Sequence, residues 1–273
     1  MDFLLDFDGT IGDTERAIHK TISIFAKLHK IQEPPKETIL GISGKDPLTA
    51  FPEAFVLNKG HDRLTQEFWV LYQRICKTGF LDLIPGVESL LREIKEEGRF
   101  AIVSNKEESI VKREISVLEA KFGLPSADCV IGFSKDSTLR RKPEPDMLYE
   151  AIQRMGAEKK RVIFVGDTQP DVDAAKNAGI PVVLLLGREK IKKYGGVPDW
   201  ASRADWIVEH MKEAESILRN VREKFREKNK QRNESRSKTL AVSEKRDLPK
   251  NVQKSERLVL YPKKSVGELC HSR

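Results

Sequence analysis

Asp6 and Asp8 stand two positions apart in the opening segment MDFLLDFDGT, directly behind a short apolar run and just ahead of Gly9. Like charges this close favour a bound cation, a raised pKa on one of them, or both. D-x-D-G-T arises on the order of 10⁻⁵ per starting position at ordinary composition, so chance explains it poorly. Three further polar clusters accompany it: Ser104-Asn105, Lys142 within Arg140-Arg141-Lys142-Pro143-Glu144-Pro145-Asp146, and Gly166-Asp167-Thr168-Gln169-Pro170-Asp171. Carboxylates with other oxygen ligands suit Mg²⁺, which takes one or two carboxylates plus waters and a substrate phosphate. The hydroxyl and amide of Ser104-Asn105 and the ammonium of Lys142 suit phosphate oxygens. One aspartate can attack phosphorus and split a hard displacement into two easier ones. A second can protonate the leaving oxygen and then take a proton from water, with Asp8 the candidate.

These side chains converge only if the elements before them share one edge. Asp2-Phe3-Leu4-Leu5 reads as a short buried strand ending at Asp6. From Phe80 to about Phe225 apolar runs alternate with amphipathic stretches. Strands are predicted at Phe100 to Val103, around Cys129 to Ile131, at Val162 to Val165 and at Pro181 to Leu186, with an edge strand at Trp206 to Val208. Repeated β-then-α units with continuous apolar strands predict an α/β fold, a doubly wound, mostly parallel sheet with helices on both faces. In such a sheet the strand ends lie along one crevice, and the polar clusters gather there. Residues 14–82 break the rhythm: helical patterns flank Pro34-Pro35 and the glycines Gly41 and Gly44, and a helical cap inserted after the first strand is expected. The division is therefore 1–13 with 83–225 as core, 14–82 as cap and 226–273 as tail.

The chain resembles the haloacid-dehalogenase-like hydrolases, in the branch of phosphoglycolate phosphatase and β-phosphoglucomutase. The resemblance rests on DFDGT at 6–10 running into Ile11-Gly12-Asp13-Thr14, on Ser104, on KPEPD at 142–146 and on GDTQPD at 166–171. It implies a Rossmann-like core and a Mg²⁺-dependent phosphatase acting on a small phosphorylated metabolite through an aspartyl-phosphate. Asp6 would be the nucleophile and Asp8 the general acid/base. Mg²⁺ would be held by Asp6, the Asp8 carbonyl and Asp167, with Asp171 in or beside that shell. Ser104 and Lys142 would bind the phosphoryl group, supported by Asn105, and Lys45 would be a cap contact to substrate. Dehalogenating relatives lack the second aspartate, which is present here. The core motifs do not separate a phosphatase from a phosphomutase or phosphotransferase.

The net charge of +7 is a property of the tail. Fourteen basic and six acidic side chains lie from Arg226 onward, which leaves residues 1–225 at −1. The polar run from Glu227 to Lys238 carries no large apolar residue and predicts a disordered basic tail. Such a tail admits a binding or regulatory role toward nucleic acid or another acidic partner, but no aromatic side chains interleave with the charge run. No apolar run approaches a membrane span, so no membrane association is expected. Cys76, Cys129 and Cys270 have neither paired nor metal-ligand spacing. Scattered thiols and the absence of a leader pattern at Met1 lead to the expectation of a cytoplasmic protein. Nothing in the sequence specifies the oligomeric state.

Overall fold

A computed structural model describes residues 1–35, 38–39, 54–55, 62–134 and 136–246. The chain forms two units, Met1–Arg222 and Glu223–Arg273. The first is built on a six-stranded sheet of order β5-β4-β1-β6-β7-β8. Its strands are β1 (Asp2–Leu5), β4 (Phe100–Glu107), β5 (Cys129–Phe133), β6 (Val162–Gly166), β7 (Val182–Leu185) and β8 (Trp206–Val208). Every neighbouring pair is parallel. β1 is flanked on both sides, with Leu4 opposite Ala101 and Phe164. Its four residues are all buried, which is why the run DFLL carries no polar alternation.

Helices cover both faces: α3 (Val87–Glu97), α4 (Glu108–Phe122), α5 (Asp146–Met155), α6 (Gln169–Ala178), the short α7 (Arg188–Tyr194) and the start of α8 (Met211–Arg246). Side chains of β1 alternate between two cores. Phe3 and Leu5 join Leu90, Ile94, Val111 and Leu118 on one face. Leu4 joins Met147, Leu148, Val172 and Ala175 on the other. The predicted strands are present, and β4 runs further than expected. Its register shifts between Val103 and Glu107 before pairing resumes at Phe133, so Ser104 to Lys106 sit on an irregular strand end.

Between β1 and α3 the described residues form β2 (Gly12–Asp13), α1 (Glu15–His29), α2 (Asp62–Ile75), a kinked turn (Cys76–Phe80) and β3 (Asp82–Leu83). β2 and β3 pair antiparallel, Gly12 with Leu83 and Asp13 with Asp82, so the segment between them leaves and rejoins the sheet side by side. Ile22, Phe25, Ile39 and Phe68 form a third, separate hydrophobic cluster. The expected last helix does not stop near Phe225 but continues to Arg246. Lys, Arg, Glu and Gln are good helix formers without an apolar face, so the loss of periodicity misplaced that boundary. Residues 247–273 of the expected disordered tail lie outside the described residues. No helix among the described residues is long and apolar enough to cross a membrane.

Candidate active site

β1 places Asp6 at its carboxyl end, where the Asp6 N–H donates to the Val165 carbonyl at 2.9 Å. The chain then wraps around one oxygen: the Phe7 carbonyl accepts from Ile11 N and Gly12 N, both at 2.9 Å. Gly9 makes the turn possible at φ +77°, and a Cβ there would collide with the Asp167 carboxylate. The DFDGT turn and the end of β6 are therefore fitted to each other. Thr10 donates its hydroxyl to Asp167 Oδ1 at 3.2 Å.

Asp6, Asp167 and Asp171 are buried, and one carboxylate oxygen from each lies within 4.8 Å of the others. The Lys142 ammonium sits among them, 2.5 Å from Asp6 Oδ1, 2.7 Å from Asp171 Oδ1 and 2.9 Å from the Val103 carbonyl. Burial, reinforced by Asp171 and Asp8, outweighs the attraction of Lys142 and lifts Asp6 from 3.8 to about 7. Burial alone would lower the Lys142 pKa, but Asp171 and Asp6 hold it above the ordinary lysine range. Asp171 serves three neighbours: beside Lys142 on Oδ1, its Oδ2 accepts from Asp167 N at 3.2 Å, and from Thr168 N at 2.9 Å and Thr168 Oγ1 at 2.5 Å, capping α6. Both its oxygens are thus engaged, as are both of Asp167, which meet Thr10 on Oδ1 and Lys190 on Oδ2. A hard, all-oxygen donor set beside a lysine fits Mg²⁺ with a phosphate ligand.

Asp8 points away from this cluster. Its Oδ1 accepts from Thr14 Oγ1 at 2.7 Å and from Lys106 Nζ at 2.5 Å. Ser104 is buried, and its oxygen accepts from Lys106 N at 3.2 Å. Asn105 is spent on the backbone of Lys142, donating to its carbonyl at 2.9 Å and accepting from its N–H at 2.8 Å. Lys45 lies outside the described residues. Asp146 sits at the start of α5, where it takes the Arg140 guanidinium at 2.8 Å.

Sequence reasoning passed over Lys106, Glu114, Tyr72 and Lys190. Lys190 of α7 places its ammonium on Asp167 Oδ2. Glu114 carried a readable signal: it falls in the apolar stripe Ile110, Val111, Ile115, Leu118 of α4 and is itself buried. An acid on a buried helix stripe calls for a cation, and Lys106 is that cation at 2.9 Å.

The model of the haloacid dehalogenase-like hydrolases matches residues 3–185. The chain belongs to that family. A phosphoglycolate phosphatase of Mesorhizobium japonicum is 30% identical over 196 residues, covering 67% of this chain and 81% of its own. The pyrophosphatase PpaX of Listeria monocytogenes is 28% identical over 225 residues, covering 80% and 95%. The β-phosphoglucomutase of Clostridium difficile shares the fold at a TM-score of 0.62 and 18% identity, over 83% of this chain and 97% of its own. Within the haloacid dehalogenase-like hydrolases the chain falls in the phosphoglycolate phosphatase-like branch, and it is a phosphatase.

Proposed function

We propose that this hydrolase cleaves a small phosphorylated metabolite, phosphoglycolate or a pyrophosphate among the candidates, through an aspartyl-phosphate on Asp6. The observation that carries the reading is the buried Asp6 carboxylate, 2.5 Å from Lys142 and clustered with Asp167 and Asp171. Lys142 and the Ser104 hydroxyl bind the phosphoryl group. An Asp6 oxygen attacks phosphorus; the new Asp6–phosphorus bond forms as the ester bond breaks, and the leaving oxygen takes a proton from Asp8. Water then attacks the same phosphorus, its proton passes to Asp8, and inorganic phosphate leaves with Asp6 restored. Mg²⁺ would be held by Asp6, Asp167 and the Asp8 carbonyl with Asp171 beside it, and would supply neutralisation of charge on the phosphoryl oxygens. The separate cluster of Ile22, Phe25, Ile39 and Phe68 and the β2–β3 pair at the base of the insertion support reading residues 14–82 as the lid that selects substrate.

The test is phosphate release from a panel of phosphorylated metabolites with Mg²⁺, with wild type beside Asp6→Asn and Asp8→Asn. Metal-dependent release abolished in Asp6→Asn supports the reading, and the best substrate names the class. Phosphate passed to an acceptor without release would make the protein a mutase or phosphotransferase instead.

A further inference from the structure

We propose that Lys106, Glu114 and Tyr72 form a charge-balanced clamp that positions Asp8. The inference rests on the reading of Asp8 as proton donor. Lys106 is 5% exposed. Its ammonium meets Asp8 Oδ1 at 2.5 Å, Glu114 Oε2 at 2.9 Å and the Tyr72 hydroxyl at 3.3 Å. A lysine has three N–H donors, and each has an acceptor. None is left for a substrate anion, so Lys106 acts through Asp8.

The two bonds that Asp8 accepts, from Thr14 and Lys106, fall on the same oxygen. The Asp8 side chain is about a third exposed, at 35%, so one oxygen is fixed while the side chain stays open to solvent. Charge explains the third member. A buried ammonium with Asp8 as its sole partner would make Asp8 an obligate counter-ion, because protonating Asp8 would strand an unpaired buried charge. Glu114, 3% exposed, already supplies the opposite charge. The Lys106–Glu114 pair therefore holds Asp8 Oδ1 without relying on Asp8 for its charge balance. Tyr72 is fully buried on α2, and the Phe7 and Tyr72 rings close around the ammonium at 5.2 and 5.3 Å. The inserted segment thus contributes a wall of the clamp, and α4 contributes its counter-ion.

The experiment compares kcat/KM on p-nitrophenyl phosphate, whose leaving group needs little proton assistance, with kcat/KM on the alkyl monoester hydrolysed fastest. The variants are Asp8→Asn, Lys106→Met, Glu114→Gln and Tyr72→Phe, with melting followed by circular dichroism. Loss of a positioned general acid costs roughly 10²–10⁴-fold. Lys106→Met and Glu114→Gln are expected to lose about 100-fold on the alkyl ester and under about tenfold on the aryl ester, in the pattern of Asp8→Asn, with Tyr72→Phe milder. Should Lys106→Met fail to fold, the double variant Lys106→Met/Glu114→Gln, which removes both buried charges, and the near-isosteric Glu114→Gln alone carry the comparison. Equal losses on both esters in the clamp variants, while Asp8→Asn still discriminates, overturn the clamp alone. Equal losses in Asp8→Asn as well overturn the proton-donor reading and the clamp with it.

Discussion

Asn105 and Lys142 are locked together by two hydrogen bonds, the Asn105 side chain donating to the Lys142 carbonyl and accepting from its N–H at 2.9 and 2.8 Å. The pair joins the end of β4 to the loop before α5, so Asn105 aims the lysine that reaches Asp6. Asn105→Ala leaves a partly buried backbone N–H and carbonyl unmet, worth about 1–3 kcal/mol. It is expected to lower kcat/KM for phosphate release on the order of 10- to 100-fold, because a small misplacement in a catalytic site is amplified. Steady-state kinetics with a melting control checks this; unchanged kinetics would mean that Lys142 finds its place without Asn105.

Asp6 gives a pH signature. Its pKa is lifted to about 7, mainly by burial, above its ordinary 3.8. A carboxyl raised on folding stabilises the folded state fully below the unfolded value, and that contribution is lost as pH rises through about 7. Metal-free wild type should therefore lose stability between pH 3.8 and about 7 relative to Asp6→Asn, as urea unfolding along a pH series would report. Cation binding requires the ionised form, so Mg²⁺ added near pH 7 to weakly buffered protein should release protons from wild type and fewer from Asp6→Asn. Equal release from both would detach Asp6 from metal binding.

Gly9 is tied to Asp167 by shape. Gly9→Ala puts a methyl group into the Asp167 carboxylate at a left-handed φ of +77°. The backbone conformation alone costs roughly 1–2 kcal/mol, and Asp167 must move as well. Mg²⁺ affinity by calorimetry is expected to fall about 10–100-fold, the range seen when partners of a metal ligand are lost. Unaltered affinity would show that the turn yields without disturbing the carboxylate.

Cys76 is a buried thiol lifted to about 12, chiefly by burial and then by Glu114. A thiolate is the reactive form, so native protein should leave Cys76 unlabelled by a thiol reagent near neutral pH while unfolded protein labels it quickly. Mass spectrometry of digested, pulse-labelled protein separates it from Cys129 and Cys270. Rapid native labelling at Cys76 would mean that the packing of Tyr72 and Glu114 around it opens readily.

Local pattern singled out Asp6, Asp8, Ser104, Lys142, Asp167 and Asp171 as candidates, because each follows a buried apolar strand or precedes a helix, and parallel sheets gather such ends on one edge. The structure brings Asp6, Lys142, Asp167 and Asp171 together and sets Asp8 and Ser104 against Lys106. The same pattern indicated the β-then-α alternation and the departure from it over residues 14–82. It could not order the strands as β5-β4-β1-β6-β7-β8, since periodicity within a segment carries no record of its distant partner. Nor could it bring Lys106, Glu114 and Tyr72 onto Asp8, which depends on a strand, a helix of the core and a helix of the insertion meeting at one point. The end of the last helix was misread for the opposite reason: a charged helix needs no apolar face, so its composition looked like that of an unfolded tail. The sequence by itself determined which groups can do chemistry, through residue type and strand-end position. Tertiary structure decided which groups act together, because burial and charge pairing across distant segments set the partners of each one.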